Sequence, residues 1–321
     1  MLQAIHLVKS YGAISPIKDL SFSIGEGEIV GLLGINGAGK STTMRMLAGY
    51  LAPTSGRIEM DGFDLSTHPR EVKGRIGYLP ETPPLYPDMT VREQLRFVCD
   101  LRGISARETQ KECERVASLL NISHVLGRVN AHLSKGYCQR VGFAIALVGK
   151  PRLVLLDEPT SGLDPGQMID VRTLIQSLAQ HTSVLISSHV LSEIDEMCNR
   201  LFILADGSLR ANGTREEILA AHHQPSTLSF SVMGDSQKAQ EIVQNLLPAD
   251  LPWTCVPTSA GADFLISQKN TGLCPEDIFS AFAPCAPQLL LTHLALLQPS
   301  LEDLFMDITR QAYAQREGES A

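Results

Sequence analysis

One eight-residue stretch constrains this chain more than any other. Gly34-Ile35-Asn36-Gly37-Ala38-Gly39-Lys40-Ser41 has the spacing G-x-x-x-x-G-K-[ST]. A short apolar run, Glu28–Leu33, precedes it, and Ser41–Leu51 behind it carries a helical pattern. Strand, glycine-rich turn and helix in that order predict a loop that wraps phosphate. Glycines let the backbone turn tightly and bring N–H groups onto phosphate oxygens. The helix then points its positive N-terminal end at the same anion. Gly34, Asn36, Gly37, Ala38 and Gly39 are expected to supply that cradle for ATP. Lys40 would reach the β- and γ-phosphates, Ser41 would ligate Mg²⁺, and Thr42 adds a hydroxyl.

A second stretch, Leu153-Val154-Leu155-Leu156-Asp157-Glu158-Pro159, reads as a buried strand ending in two carboxylates. Ligands of parallel sheets bind beyond the C-terminal strand ends. Asp157 is expected to hold Mg²⁺, and Glu158 to orient or deprotonate an attacking water. Taken alone, such a pair reads equally well as an exposed acidic turn; the phosphate loop upstream decides for the catalytic reading. His189 closes another apolar run, Val184–Ser188, and could hydrogen-bond the γ-phosphate from there.

The first two thirds of the chain alternate strand-like and helix-like patterns, which predicts an α/β fold with a largely parallel sheet. Residues 83–146 break the alternation. Val91–Leu101 and Ala106–Leu120 carry apolar residues at helical spacing, so this stretch is expected to be an inserted helical subdomain. His222–Ser226 reads as a linker. Beyond it the order is a strand (Thr227–Val232), a helix (Ser236–Leu247), two strands (Trp253–Val256, Asp263–Ser267), a helix (Pro275–Phe282), a strand (Leu289–Leu297) and a helix (Leu301–Thr309). That is the βαββαβ order of a small ferredoxin-like α+β domain. The expected boundaries are 1–222 for the first domain and 226–310 for the second. A polar tail, 311–321, is expected to fray.

The chain has 321 residues and a net charge of −8, with no Lys/Arg run, so nucleic acid is not an expected partner. Its seven cysteines show no metal-ligand spacing and read as thiols of a reducing cytosol. No stretch reaches the roughly 20 apolar residues a membrane-spanning helix needs, and the N-terminus lacks a signal-peptide pattern. Membrane association is therefore expected to come through a partner.

The ordered set of motifs resembles the ABC ATPases over about Leu2–Gly213. Lys9-Ser10-Tyr11-Gly12 resembles the aromatic loop, and the resemblance implies that Tyr11 stacks on adenine. Leu133-Ser134-Lys135-Gly136-Tyr137 resembles the family signature, Ser161-Gly162-Leu163-Asp164 the D-loop with its Asp164, and His189 the switch histidine. By that resemblance, Ser134, Lys135 and Gly136 would meet the γ-phosphate held by a second copy, so a homodimer closed across ATP is implied. Two positions depart from the family pattern. Lys135 stands where a glycine is usual; its charge would sit near the partner's phosphate or face solvent. Glu81, in Tyr78-Leu79-Pro80-Glu81, stands where glutamine is common; it can still ligate Mg²⁺ but adds negative charge near the γ-phosphate.

Within the family these variants are similar to ATPases that serve ABC-2-type membrane subunits, above all the gliding-motility type. Pro299–Phe305 resembles the end of the accessory domain such subunits carry. The resemblance implies an exporter subunit bound to an integral membrane permease at the cytoplasmic face of the inner (plasma) membrane. The alternative is a soluble ABC ATPase acting on the ribosome or DNA. It fits less well, because the chain has one ATPase domain and no long coiled-coil insertion.

Overall fold

The computed structural model describes the chain apart from residues 180–181, 223–225, 248–252, 268–272, 298–299 and 320–321. The chain forms two compact units: Met1–Arg215 with Ile308–Ala321, and Glu216–Asp307. Most of the expected linker lies outside the described residues.

The first unit opens with β1 (Leu2–Tyr11), β2 (Ile14–Ile24), β3 (Ile29–Leu33), α1 (Lys40–Leu47), β4 (Ser55–Met60), β5 (Phe63–Asp64), α2 (Pro69–Gly74) and β6 (Ile76–Leu79). Three helices follow, α3 (Val91–Leu101), α4 (Ala106–Leu119) and α5 (Lys135–Leu147). The chain then returns to the sheet with β7 (Leu153–Asp157), α6 (Pro165–Leu178), β8 (Ser183–Ser188), α7 (Leu191–Asp195), β9 (Arg200–Ala205) and β10 (Ser208–Gly213). The strands make one sheet in the order β5-β4-β1-β2-β10-β9-β3-β8-β7-β6. β9, β3, β8, β7 and β6 run parallel, while β1, β2, β4 and β5 pair antiparallel. Every residue of β3, β7 and β8 is buried. That is why these strands read as unbroken apolar runs rather than alternations.

Register decides where the loops fall. Leu33 pairs with Ser188, Asp157 with Ser187, and Leu79 with Leu156. The phosphate loop, the two carboxylates, His189 and the Pro80-Glu81 turn therefore leave one edge of the sheet side by side. Helix α1 is shorter than its sequence pattern. It ends at Leu47 because Gly49 adopts φ 72°, the left-handed stop that glycine makes without a Cβ penalty. Helix α3 starts on a capping box: Thr90 Oγ1 accepts from the Glu93 N–H (3.2 Å), and Glu93 Oε2 accepts from the Thr90 N–H (2.8 Å).

The second unit contains α8 (Arg215–Ala221, whose first residue belongs to the first unit), β11 (Thr227–Gly234), α9 (Ser236–Leu246), β12 (Trp253–Thr258), β13 (Gly261–Ser267), α10 (Pro275–Phe282) and β14 (Leu289–Leu297). Its sheet order, β12-β13-β11-β14, is all antiparallel and is the ferredoxin-like arrangement. Leu228, Phe230 and Val232 of β11 alternate inward with Phe264 and Ile266 of β13 beneath α9 and α10. Phe230 and Phe264 stack with centroids 4.9 Å apart. Helix α11 (Leu301–Glu319) closes the chain. It carries on through most of the stretch expected to fray, where glutamine, alanine, arginine and glutamate are all sound helix formers.

The fully buried Phe230 ring is the centre of the second core. Phe230→Ala should cost that unit about 3–5 kcal/mol. Urea unfolding of the full chain followed by tryptophan fluorescence should show it, since Trp253, the sole tryptophan, lies 6.1 Å from Phe264. An unchanged fluorescence midpoint would contradict this account of the core.

Candidate functional site

The phosphate loop is built from backbone that only glycine allows. A Cβ on Gly34 would stand 2.6 Å from the Leu204 carbonyl oxygen. Gly39, at φ 107°, would place one 2.7 Å from the Pro16 carbonyl oxygen. The loop is tied to the sheet by the Gly34 N–H, which donates to Ser188 O (3.4 Å), and to itself by the Ala38 N–H on Ile35 O (3.1 Å). Helix α1 makes its first bond from the Thr43 N–H to Gly39 O (2.9 Å). The amides of Lys40, Ser41 and Thr42 precede that bond and face the N-terminal end.

Lys40 is 6% exposed. Its ammonium donates to Gly34 O (2.6 Å) and lies 3.3 Å from Glu158 Oε1. The other Glu158 oxygen, Oε2, is 2.8 Å from His189 Nδ1. Glu158 thus sits between two cationic or hydrogen-donating groups, buried but for its edge on the cleft. Its backbone adopts φ 50°, a left-handed conformation rare for a residue with a Cβ. Two bonds hold it there, from the Glu158 N–H to Ser187 O (3.2 Å) and to Ser187 Oγ (3.1 Å). Strain of this kind concentrates at functional positions and persists only where the surroundings enforce it.

Asp157 is held separately. Ser187 Oγ donates to its Oδ1 (2.6 Å), and Ser41 Oγ approaches the same oxygen (3.3 Å). A hydroxyl and a carboxylate oxygen side by side are the hard donors that a small divalent cation takes. The neighbouring loops are cross-braced by Glu193, whose Oε2 accepts from Thr160 Oγ1 (2.8 Å) and Ser188 Oγ (3.1 Å).

A cleft of about 330 Å³ opens over these groups. Asn36, Gly37, Gly39, Lys40, Ser41 and Thr42 form one wall, and Glu81, Glu158, Ser161 and His189 face them. Ala38 and Asp157 are buried residues that do not line the cleft. The structure does not bring the remaining expected residues to its wall. Tyr11 is exposed, with the Lys9 ammonium 5.0 Å from its ring centroid. Ser134 caps α5 by accepting from the Tyr137 N–H (3.4 Å), and Asp164 caps α6 by accepting from the Gln167 N–H (3.0 Å). Gly136 packs so closely on Gln167 that a Cβ would meet its side chain at 2.8 Å. Within this chain the Lys135 ammonium rests against Gly162 of the Ser161–Asp164 loop. Ser187, which holds the Asp157 carboxylate and the Glu158 backbone amide, was not among the residues the sequence singled out. The only signal for it is a pair of serines, Ser187 and Ser188, closing a buried strand whose middle is apolar.

The loop geometry and the paired acids define a nucleotide-binding P-loop ATPase. A sequence profile of the ABC transporter family matches residues 17–161. The ABC transporter ATP-binding protein YhaQ of Bacillus subtilis (strain 168) is 39% identical over 314 residues, 98% of this chain and 100% of that protein. The bacitracin transport ATP-binding protein BcrA of Bacillus licheniformis is 38% identical over 211 residues, 65% of this chain and 68% of its own. The lipopolysaccharide export system ATP-binding protein LptB of Escherichia coli (strain K12) is 36% identical over 226 residues, 69% and 94%. A solved ATP-binding subunit of an ABC transporter superposes with TM-score 0.64 at 31% identity, over 69% of this chain and 93% of that one. The chain belongs to the ABC transporter ATP-binding family. It is the ATP-binding, ATP-hydrolysing subunit of an ABC transporter, and such subunits work as dimers with membrane permeases. Among the described residues, no helix is long and apolar enough to cross a membrane.

Two outcomes follow from the packing beneath the cleft. Ser187→Ala leaves the Asp157 carboxylate short of a buried donor, and should lower stability by about 1–3 kcal/mol in urea titration. Tyr78, on β6, has its hydroxyl pushed up to about 12, by burial first and the Asp157 charge second. Because the folded value lies above the ordinary 10, the stability tied to this group is complete below pH 10 and falls as pH rises toward 12. Ultraviolet titration of the tyrosinates should show a late step that Tyr78→Phe removes.

Proposed function

We propose that this subunit powers export through a separate ABC-2-type membrane subunit, and that the residues at the sheet edge divide the chemistry of ATP hydrolysis among them. One observation carries the assignment of roles: Glu158 lies between Lys40 and His189, while its neighbour Asp157 is turned toward Ser41.

In this reading the amides of the phosphate loop, with the α1 N-terminus behind them, take the β- and γ-phosphates. Ser41 and Asp157, with Glu81 facing them, would hold Mg²⁺, and the bound cation would offset charge on the phosphate oxygens. The Lys40 ammonium is shared between Gly34 O and Glu158. Triphosphate competes for it, and Lys40 swings its charge from the carboxylate to the phosphates. Glu158, relieved of that partner, accepts a proton from the attacking water. His189 holds the other Glu158 oxygen and keeps the carboxylate aimed. Tyr11 stacks on adenine.

Ser134, Lys135, Gly136 and Asp164 serve the second copy's nucleotide. Three facts support this: they lie off this chain's own cleft, Ser134 and Gly136 begin α5 with its positive end free of acidic residues, and members of the family work as dimers. Export is supported by BcrA and LptB, whose names describe bacitracin transport and lipopolysaccharide export. The dimer would sit on the cytoplasmic face of the inner membrane, held there by the permease.

Glu158→Gln should still bind ATP, lose about 10²–10⁴-fold in turnover, and accumulate as an ATP-bound dimer on size exclusion. Turnover near wild type would remove Glu158 from the role of base. The tagged full chain, purified from gently solubilised membranes, should bring down a polytopic protein at comparable stoichiometry. Recovery of ribosomes or DNA instead would overturn the transport assignment.

A further inference from the structure

A second cleft, of about 400 Å³, adjoins the first, and Glu81 and Ser161 line both. Its other walls are the turn after β6, with Thr82 and Pro83, and the start of α5, with Lys135 and Cys138. Two charges of opposite sign face this space. The Glu81 carboxylate makes no ion pair among the described residues, and neither does the Lys135 ammonium. Lys135 is the first residue of α5, a helix with no acidic residue in its first turn. A cation there opposes the helix dipole, so the position gains nothing locally from its charge. Its side chain reaches instead to Gly162, at φ 66°, in the loop that follows Glu158.

Glu81 poses the reverse difficulty. It lines the cleft that takes a triphosphate, and a carboxylate there repels the ligand. Both side chains are exposed, so solvent and salt screen that repulsion and any charge that offsets it. We infer that Lys135 is the counter-charge of Glu81: a positioning residue that lines the same cleft, with its ammonium against Gly162, offsets the carboxylate at the nucleotide's edge and braces the Gly162 turn. This rests on the ATPase reading of the first cleft. It adds a role for Lys135 within its own chain, beside the contact proposed for it with the partner's nucleotide.

A counter-charge matters only while the charge it offsets is present, so the two positions must be coupled. A double-mutant cycle isolates that coupling. The full chain, Glu81→Gln, Lys135→Gln and the double variant are titrated with ATPγS and Mg²⁺. KM and kcat for ATP are measured on the same four proteins at low and high salt. Lys135→Gln alone should weaken ATPγS binding and raise KM by about two- to fivefold, the range for a partly exposed charge pair. In the Glu81→Gln background the same change should cost clearly less, leaving only the loss of its proposed contact with the partner's nucleotide. Lys135→Arg should lose less affinity than Lys135→Gln, and high salt should shrink the difference between wild type and Lys135→Gln. Equal losses in both backgrounds would overturn the inference, as would a Lys135→Gln loss insensitive to salt. A wild-type chain that binds ATPγS but shows additive effects refutes the counter-charge alone. A wild-type chain that binds no nucleotide refutes the ATPase reading and the counter-charge with it.

Discussion

The parallel pairing of β3, β8, β7 and β6 sets everything at the site. The pairs Leu33–Ser188, Asp157–Ser187 and Leu79–Leu156 bring four strand ends to one edge. A one-residue slip of β7 against β8 would exchange the faces of Asp157 and Glu158 and separate both from Ser187. The register is enforced from below, because both faces of the three central strands are buried and any slip would turn matched apolar side chains against mismatched ones. The core therefore does more than hold the chain together. It holds two adjacent carboxylates in different environments, one against a hydroxyl pair and one between a lysine and a histidine.

Placing charges there is costly, and the structure shows how the cost is contained. Lys40, Asp157 and Glu158 are all buried. An isolated charge in such a position loses several kcal/mol of solvation, which a partner at contact distance offsets only with good geometry and further hydrogen bonds. Each group has these: Lys40 has Gly34 O and Glu158, Asp157 has Ser187 and Ser41, Glu158 has His189 and Lys40. The set is balanced, but its balance depends on one ammonium that a phosphate can also claim. With the roles proposed above, ligand binding and the release of Glu158 as base would be the same event, and the left-handed backbone at Glu158 would keep the carboxylate facing that exchange.

Much of this was legible in the sequence, for reasons that differ by residue. The phosphate loop is a local motif, so eight consecutive residues specify its turn, its strand and its helix. The accessory unit was readable because its strands alternate and Pro275 marks a helix start. Ser187 was not readable. Its part arises from pairing with a strand 30 residues away, and nothing near it in sequence marks an anchor for Asp157. The reach of Lys135 to Gly162 was equally hidden, since it depends on how α5 packs beside the Ser161–Asp164 loop. The end of α1 was misjudged because apolar spacing continues past Gly49 while the backbone does not. The closing helix was cut short because polar composition alone was taken for disorder, although the residues there favour a helix.

Separation of the signature from the phosphate loop is the feature that turns a binding site into a machine. Within one chain, Ser134 and Gly136 cap and begin a helix whose positive end has no anion to meet, while Lys40 and the α1 N-terminus gather on another surface of the same unit. On the reading proposed above, each chain would present an incomplete half of a site together with the complement of the missing half. Two copies related by a two-fold axis would satisfy both at once, because such an interface is self-complementary. The triphosphate would then supply the attraction between two positive helix ends that otherwise repel. Cleavage of the γ-phosphate would weaken that attraction from within, so a dimer held by its ligand would be released by its own chemistry. A membrane subunit attached to both halves would be driven by that cycle without contributing to the reaction.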